Sequence, residues 1–241
     1  MSPRALLLQA RNPGDAMAAH ERRCFVERTG LPEDSIAVHD LLAHVPSLAE
    51  VRRHEALFMG GSGEFNVSQR NAHWFPALFE LLSEVATVGH PTFACCFGYH
   101  CFVAALGGEL IHEPAAMEVG TYEVTLTEHG RADPLIGQLP ARFAAQMGHK
   151  DRPVVQPAIT ANLAASERSP LQALRISGQP VWAVQFHPEL TRETNLERYR
   201  AYIHRYSDPA FAEVPGGAEA RFQESHLASS LLRLFLETVF Q

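Results

Sequence analysis

The chain has 241 residues, 46% of them hydrophobic and 20% charged, with a formal net charge of −7. That length and apolar share suit one α/β domain with a substantial core, and the acidic balance argues against nucleic acid or an anionic membrane as a partner through bulk electrostatics. No terminal run has the apolar length of a signal peptide or membrane span, since Ala5 to Leu8 is too short. The four cysteines include a vicinal pair but no C-x-x-C spacing, so a reduced, cytoplasmic protein without metal or cofactor is expected.

Ala5 to Gln9 reads as a first buried strand, Asp15 to Thr29 as a helix ending near Gly30, Ser35 to His39 as a second strand and Ala56 to Met59 as a third. Strands separated by helices of this size predict right-handed βαβ units. Gly60 to Val67 is a glycine-rich loop without the spacing of a phosphate loop. Trp74 to Val88 is an amphipathic helix with Phe75, Leu78, Leu81 and Leu82 on one side. Glu109 to Ile111 and Val119 to Leu126 read as β structure, and Ala144 to Arg152 as a loop. Asn195 to Tyr206 is expected to be helical and Phe211 to Gly217 a loop; a last helix over Ser225 to Phe240 carries Leu227, Leu231, Leu234 and Phe235 at helical spacing.

Two stretches carry chemistry. Thr92 to Cys95 is a short apolar strand, Gly98 opens a helical pattern over Tyr99 to Leu106, and Cys96 stands between them. A nucleophile on such a strand-to-helix turn is lifted clear of its neighbours, and the helix N-terminus favours a thiolate. The turn requires small residues two positions to either side. Cys96 has Ala94 and Gly98, whereas Cys95 has Phe93 and Phe97, so Cys96 is the candidate. Pro180 to Phe186 is a strong strand pattern that leads directly into His187-Pro188-Glu189. Pro188 favours an extended His187, and residues two apart in an extended segment share a face. Glu189 can therefore fix the tautomer of His187, leaving the other nitrogen as base in a nucleophile–base–orienter triad.

The elbow Ala94 to His100, the element Phe186-His187-Pro188-Glu189 and the earlier Met59-Gly60-Gly61-Ser62 resemble class I glutamine amidotransferases. The likeness is to stand-alone members similar to the amidotransferase domain of GMP synthase, and covers roughly Leu6 to Glu193. It implies a three-layer α/β fold with a mostly parallel, flavodoxin-like open sheet and flanking helices. One domain over residues 1–241 is expected, with a helical extension from about 195. It further implies a Cys96-His187-Glu189 triad, an oxyanion hole from the N–H groups of Gly61 and Phe97, and substrate contacts near Gly148 and His149. The expected reaction is attack of Cys96 on the side-chain amide of glutamine, giving a γ-glutamyl thioester and ammonia for an acceptor on a separate synthetase. Ala94 stands where the family motif has glycine, a mild change. His100 stands where it has a substrate-holding glutamine, which leaves two further readings: a γ-glutamyl peptide hydrolase, and a non-catalytic binding member of the fold.

Overall fold

The computed structural model describes residues 2–203 and 217–240. The elements run in the order β1 (Ala5–Ala10), α1 (Met17–Thr29), β2 (Ile36–Asp40), α2 (Leu48–Val51), β3 (Ala56–Ser62), α3 (Phe75–Val88), β4 (Thr92–Cys95), α4 (Phe97–Ala105), β5 (Glu109–His112), β6 (Glu118–Leu126), α5 (Glu128–Ala132), β7 (Arg142–His149), β8 (Asp151–Val155), β9 (Thr160–Ala165), β10 (Ala173–Ile176), β11 (Val181–Val184), α6 (Arg192–Ala201) and α7 (Leu231–Val239).

Nine strands form one mixed sheet in the order β2-β1-β3-β4-β11-β10-β9-β6-β7. The first five are mutually parallel, and the rest continue antiparallel. β5 and β8 make a separate antiparallel pair. The parallel strands are covered on both faces, which is why β1 is buried at all six positions and is apolar at all but Gln9. One face packs Phe25 of α1 and Leu231 and Phe235 of α7 onto Phe58, Phe93 and Trp182. The opposite face packs Leu78 and Leu82 of α3 and Phe102 and Val103 of α4 onto Leu57, Met59 and Ala94. The result is the three-layer α/β arrangement that the resemblance implied.

Differences from the expected elements have local causes. Ala144 to Arg152 is no loop: it forms the end of β7 and the start of β8, joined at Lys150. Its small and polar residues lack the apolar alternation that marks a strand. Gly60 and Gly61 are not yet loop but the end of β3. The last helix is shorter than its periodicity suggests; Leu227 is half-exposed, and the buried stripe is Leu231, Leu232, Phe235 and Leu236. The loop expected over Phe211 to Gly217, except for Gly217 itself, and the end of the helix expected to reach Tyr206 lie outside the described residues.

Phe235 touches three rings across the sheet, with centroids 5.8 Å from Phe58, 5.7 Å from Phe93 and 5.9 Å from Trp182. It is fully buried. Phe235→Ala is expected to cost about 3–5 kcal/mol of unfolding free energy by urea titration, which would establish α7 as part of the core.

Candidate active site

β4 ends at Cys95, and the chain turns at Cys96 with φ 49° and ψ −99° before α4 begins. A non-glycine residue in this region costs roughly 1–3 kcal/mol, and such strain persists when the surroundings impose it. Three contacts impose it here. The Cys96 amide donates to the Val184 carbonyl of β11 (2.8 Å), and its carbonyl accepts from the His100 amide (3.0 Å). Gly98 packs so closely that a Cβ there would lie 2.6 Å from the Cβ of Met59 and 3.1 Å from that of Ala94. The requirement for small flanking residues is therefore visible in the structure, and alanine at position 94 satisfies it.

Cys95 and Cys96 face different surroundings. Cys95 is wholly buried among the α1 and α7 side of the core. Burial, then the charge of Glu189, push its thiol well above the ordinary value. Burial also pushes the Cys96 thiol up to about 12, against the opposing influence of the Arg198 charge and the Phe97 amide. Burial thus opposes the thiolate expected from the helix N-terminus. In this conformation desolvation outweighs the helix terminus, and Cys96 is a thiol awaiting a base.

His187 and Glu189, the candidate base and its orienter, stand together. His187 donates from Nδ1 to Oε1 of Glu189 at 2.6 Å, and both residues are about 1% exposed. Burial lowers the pKa of His187 below 6.5, and Arg198 adds to this against the pull of Glu189. Burial works against ionisation of Glu189, yet His187 and Arg198 outweigh it and hold the carboxyl below its ordinary value. The Nε2 atom of His187 is buried and makes no hydrogen bond. It is thus unprotonated or free to be so, as a general base requires, but it is not bonded to the Cys96 thiol.

The glycine pair has a role beyond the one read from sequence. A Cβ on Gly60 would collide with the Glu21 carboxylate, and one on Gly61 with the Arg198 guanidinium. The two bare residues are flanked by two buried side chains of opposite charge. Glu21 also accepts from Gln9 (2.8 Å) and Arg11 (2.8 Å), and Oε1 accepts the Gly61 amide itself at 3.0 Å. The N–H assigned to an oxyanion hole is therefore committed to Glu21 in this conformation, and Gly61 does not line the cavity beside Cys96. The Phe97 amide, by contrast, faces the Cys96 sulfur. Neither Glu21 nor Arg198 was found from sequence. The signal for Glu21 was a charge on the buried face of α1, beside Cys24 and Phe25.

A cavity of about 290 Å³ opens at Cys96 and Phe97, lined also by His100, His112, Gly148, His149, Lys150 and Asp151. That volume suits an amino acid or a short peptide. His149 bonds through Nε2 to the fully buried Glu118 (3.0 Å) and through Nδ1 to the Asp151 carbonyl (3.0 Å). The β7–β8 turn is thereby fixed against the cavity. His100 bonds through Nε2 to Oε1 of Gln185 (2.9 Å). Asp151 bonds His112 (2.8 Å) and the Ser68 amide (3.1 Å). Among the described residues no cluster of three or more His, Cys, Asp or Glu side chains is arranged to hold a metal ion, and no helix is long and apolar enough to cross a membrane.

The family model described as glutamine amidotransferase class-I matches residues 44–201, a span that includes Cys96, His187 and Glu189. The chain belongs to the class I glutamine amidotransferase family. The glutamine-hydrolyzing GMP synthase of Aeropyrum pernix is 34% identical over 119 residues, covering 49% of this chain and 22% of that protein. One subunit of the glutamine-hydrolyzing GMP synthase of Sulfolobus acidocaldarius is 24% identical over 158 residues, covering 65% of this chain and 79% of its own length. The chain thus spans about a quarter of the length of the full-length GMP synthases it matches. Among solved structures, a glutamine amidotransferase from Thermotoga maritima superposes with a TM-score of 0.69 at 18% identity, over 98% of this chain and 97% of that one. One from Methylobacillus flagellatus gives 0.68 at 19% identity, over 100% and 93%. At these identities the structures establish the fold of this amidotransferase domain and no more.

His100, in the wall of the cavity, is also altered by folding. Burial drives its pKa from 6.5 down to about 4, with Asp151 opposing. An unfolded histidine takes its proton near 6.5, so the folded state is fully favoured above that pH and loses stability as pH falls from 6.5 toward 4. His100→Gln is expected to flatten the pH dependence of urea-unfolding free energy in that window by on the order of 3 kcal/mol. The lowered His20, His90 and His187 would leave a residual slope of the same sign.

Proposed function

We propose that this chain hydrolyses the side-chain amide of glutamine through Cys96, His187 and Glu189, releasing ammonia for an acceptor carried by a separate protein. The observation that carries the reading is a cysteine held at a strained strand-to-helix turn, with a buried His187–Glu189 pair at the end of the neighbouring parallel strand. A scaffold that only bound a metabolite would gain nothing from the strain or from burying that pair.

His187 Nε2 accepts the Cys96 proton as the sulfur attacks the amide carbon. Catalytic hydrogen bonds are often long before substrate arrives and tighten in the complex. The tetrahedral oxyanion meets the Phe97 amide, and meets the Gly61 amide once the Gly60–Gly61 peptide turns from Glu21 toward the cavity. His187 returns the proton to the nitrogen, ammonia leaves, and a γ-glutamyl thioester remains. Water then attacks, giving its proton to His187; the thioester bond breaks, the thiol is restored and glutamate is released. The backbone of Gly148 and His149 lines the cavity where the amino-acid end of the substrate would lie. The Sulfolobus relative, whose name marks it as one subunit of a GMP synthase, supports a partner synthetase.

A γ-glutamyl peptide hydrolase is the second reading. It is favoured by His100, whose bond to Gln185 replaces an adaptable amide in the cavity wall with a locked ring.

The test is release of glutamate by the purified chain from L-glutamine and from a γ-glutamyl dipeptide. Cys96→Ala is expected to lower turnover by roughly 10³-fold or more, while Cys95→Ser retains most of it. Glu189→Gln is expected to reduce kcat by roughly 10²–10⁴-fold with little change in KM, because orientation of His187 acts in the transition state. Turnover of the dipeptide alone would replace the first reading by the second. Silence of both in the wild type would overturn hydrolysis by the isolated chain.

A further inference from the structure

Arg198 is the element of this site that neither the motif nor the triad logic accounts for. It lies in the last turn of α6 and is 6% exposed. The helix is anchored by a capping box at Thr191 and Thr194, and Asn195 donates to Gln146 of β7 at 2.9 Å. These contacts hold α6 so that the Arg198 guanidinium reaches inward. Its Nη1 lies 3.1 Å from Nδ1 of His187 and 3.7 Å from Oε1 of Glu189. Its Nη2 fills the space that any side chain at position 61 would occupy.

A guanidinium is a permanent cation, and its place beside Nδ1 is unusual. Nδ1 gives its hydrogen to Glu189, so it cannot also accept from Arg198. The cation stands against the imidazole because the Glu189 carboxylate attracts it, not because the ring does. Glu189 is buried, and its second oxygen accepts from no nitrogen or hydroxyl donor; the Cys95 thiol of β4, which burial keeps protonated, is the other titratable group that faces it. An isolated carboxylate in that position would draw in a proton. With Arg198 present, the group formed by a neutral thiol, a neutral imidazole, the carboxylate and the guanidinium carries no net charge. It carries none after the proton has moved from Sγ to Nε2 either.

The other charged groups around the pair do not duplicate this role. Glu21 of α1 faces His187 but is bound to Arg11 at 2.8 Å. Asp151 of β8 faces Cys96 and is bound to His112. His100 of α4 faces His187 and is uncharged above about pH 4.

We propose that Arg198 is a positioning residue of the Cys96–His187–Glu189 site: its guanidinium balances the buried Glu189 carboxylate, keeps His187 in its neutral proton-accepting form, and favours the Cys96 thiolate when it forms. The inference rests on the hydrolytic reading above. Removing a cation raises the pKa of every neighbouring acid. Arg198→Gln therefore moves two profiles to higher pH: the acid limb of glutamine turnover, set by His187, and the alkylation of Cys96, set by the thiol.

The experiment measures iodoacetamide labelling of Cys96 against pH, read on the Cys96 peptide by mass spectrometry, in the full chain and in Arg198→Gln and Arg198→Lys. It needs no substrate. Glutamate release against pH is recorded in parallel. The expected result is a fall in labelling rate by about tenfold or more at each pH below the thiol's own pKa in Arg198→Gln, equivalent to a displacement of the profile by about one pH unit, with Arg198→Lys close to wild type. Arg198→Met repeats the measurement should the glutamine variant not fold. A folded neutral variant whose labelling profile is unchanged, or a lysine variant shifted as far as the neutral one, would overturn the proposal and leave Arg198 a packing residue. Shifted labelling in a chain that releases no glutamate would support Arg198 and overturn only the hydrolytic reading.

Discussion

The site depends on the parallel pairing of β4 with β11. Cys95 lies opposite Val184, and the next amide, that of Cys96, still bonds back to the Val184 carbonyl at 2.8 Å. That bond holds Cys96 to the sheet while α4 pulls the chain away, so the turn is fixed between two rigid elements. The same pairing places His187, three residues beyond Val184, at the same end of the sheet. Two segments about 90 residues apart in sequence thus meet through ladder hydrogen bonds. Open parallel sheets gather functional groups at the carboxyl ends of their strands for this reason. The glycine pair joins the group from the next strand, β3, which neighbours β4 on its other side.

Around that junction the protein buries more charge than a triad needs. Glu21, Arg11, Arg198 and Glu189 are each at most 6% exposed. Burying an ion is costly unless it is paired, and each is: Arg11 with Glu21 at 2.8 Å, Arg198 with Glu189 at 3.7 Å. Burial works against the charge of Arg11, yet Glu21 outweighs it and holds the guanidinium above its ordinary value. The two pairs lie on either side of Gly60 and Gly61. One member of each pair lies on a helix, Glu21 on α1 and Arg198 on α6, so the geometry of the site reports on the packing of both. Burial and the Arg198 charge lower the pKa of His187, and burial raises that of Cys96, so the surroundings favour the neutral form of both.

The parallel half of the sheet and the residues of the candidate site at the carboxyl ends of its strands were legible in the chain, since each rests on local pattern. β1 and β4 are short apolar runs, Cys96 has small residues on both sides, and His187 and Glu189 are two apart on either side of a proline. What was not legible rests on tertiary contact. The β7–β8 strands hide in small and polar residues whose pairing to β6 and β5 overrides weak propensity. The low charge of the resting thiol could not be read from a helix N-terminus, because desolvation depends on what covers Cys96. The capture of the Gly61 amide by Glu21 joins residues 40 apart with no shared motif. Arg198 carries no local signal, because α6 holds acidic and basic residues together.

The contacts of Gly60 and Gly61 bear on how this site can change over evolutionary time. Neither position is bare merely to let the backbone bend; each is bare because an ion occupies the side-chain space. A substitution at 61 must evict a guanidinium, and one at 60 must evict a carboxylate. Positions 21, 60, 61 and 198 therefore form one heritable unit spread over α1, β3 and α6. A larger residue at either glycine displaces the far end of the ion on the helix that faces it, which breaks that ion's pairing unless the helix residue changes too. The four positions are thus coupled although they share no motif and the farthest are 177 positions apart in the chain.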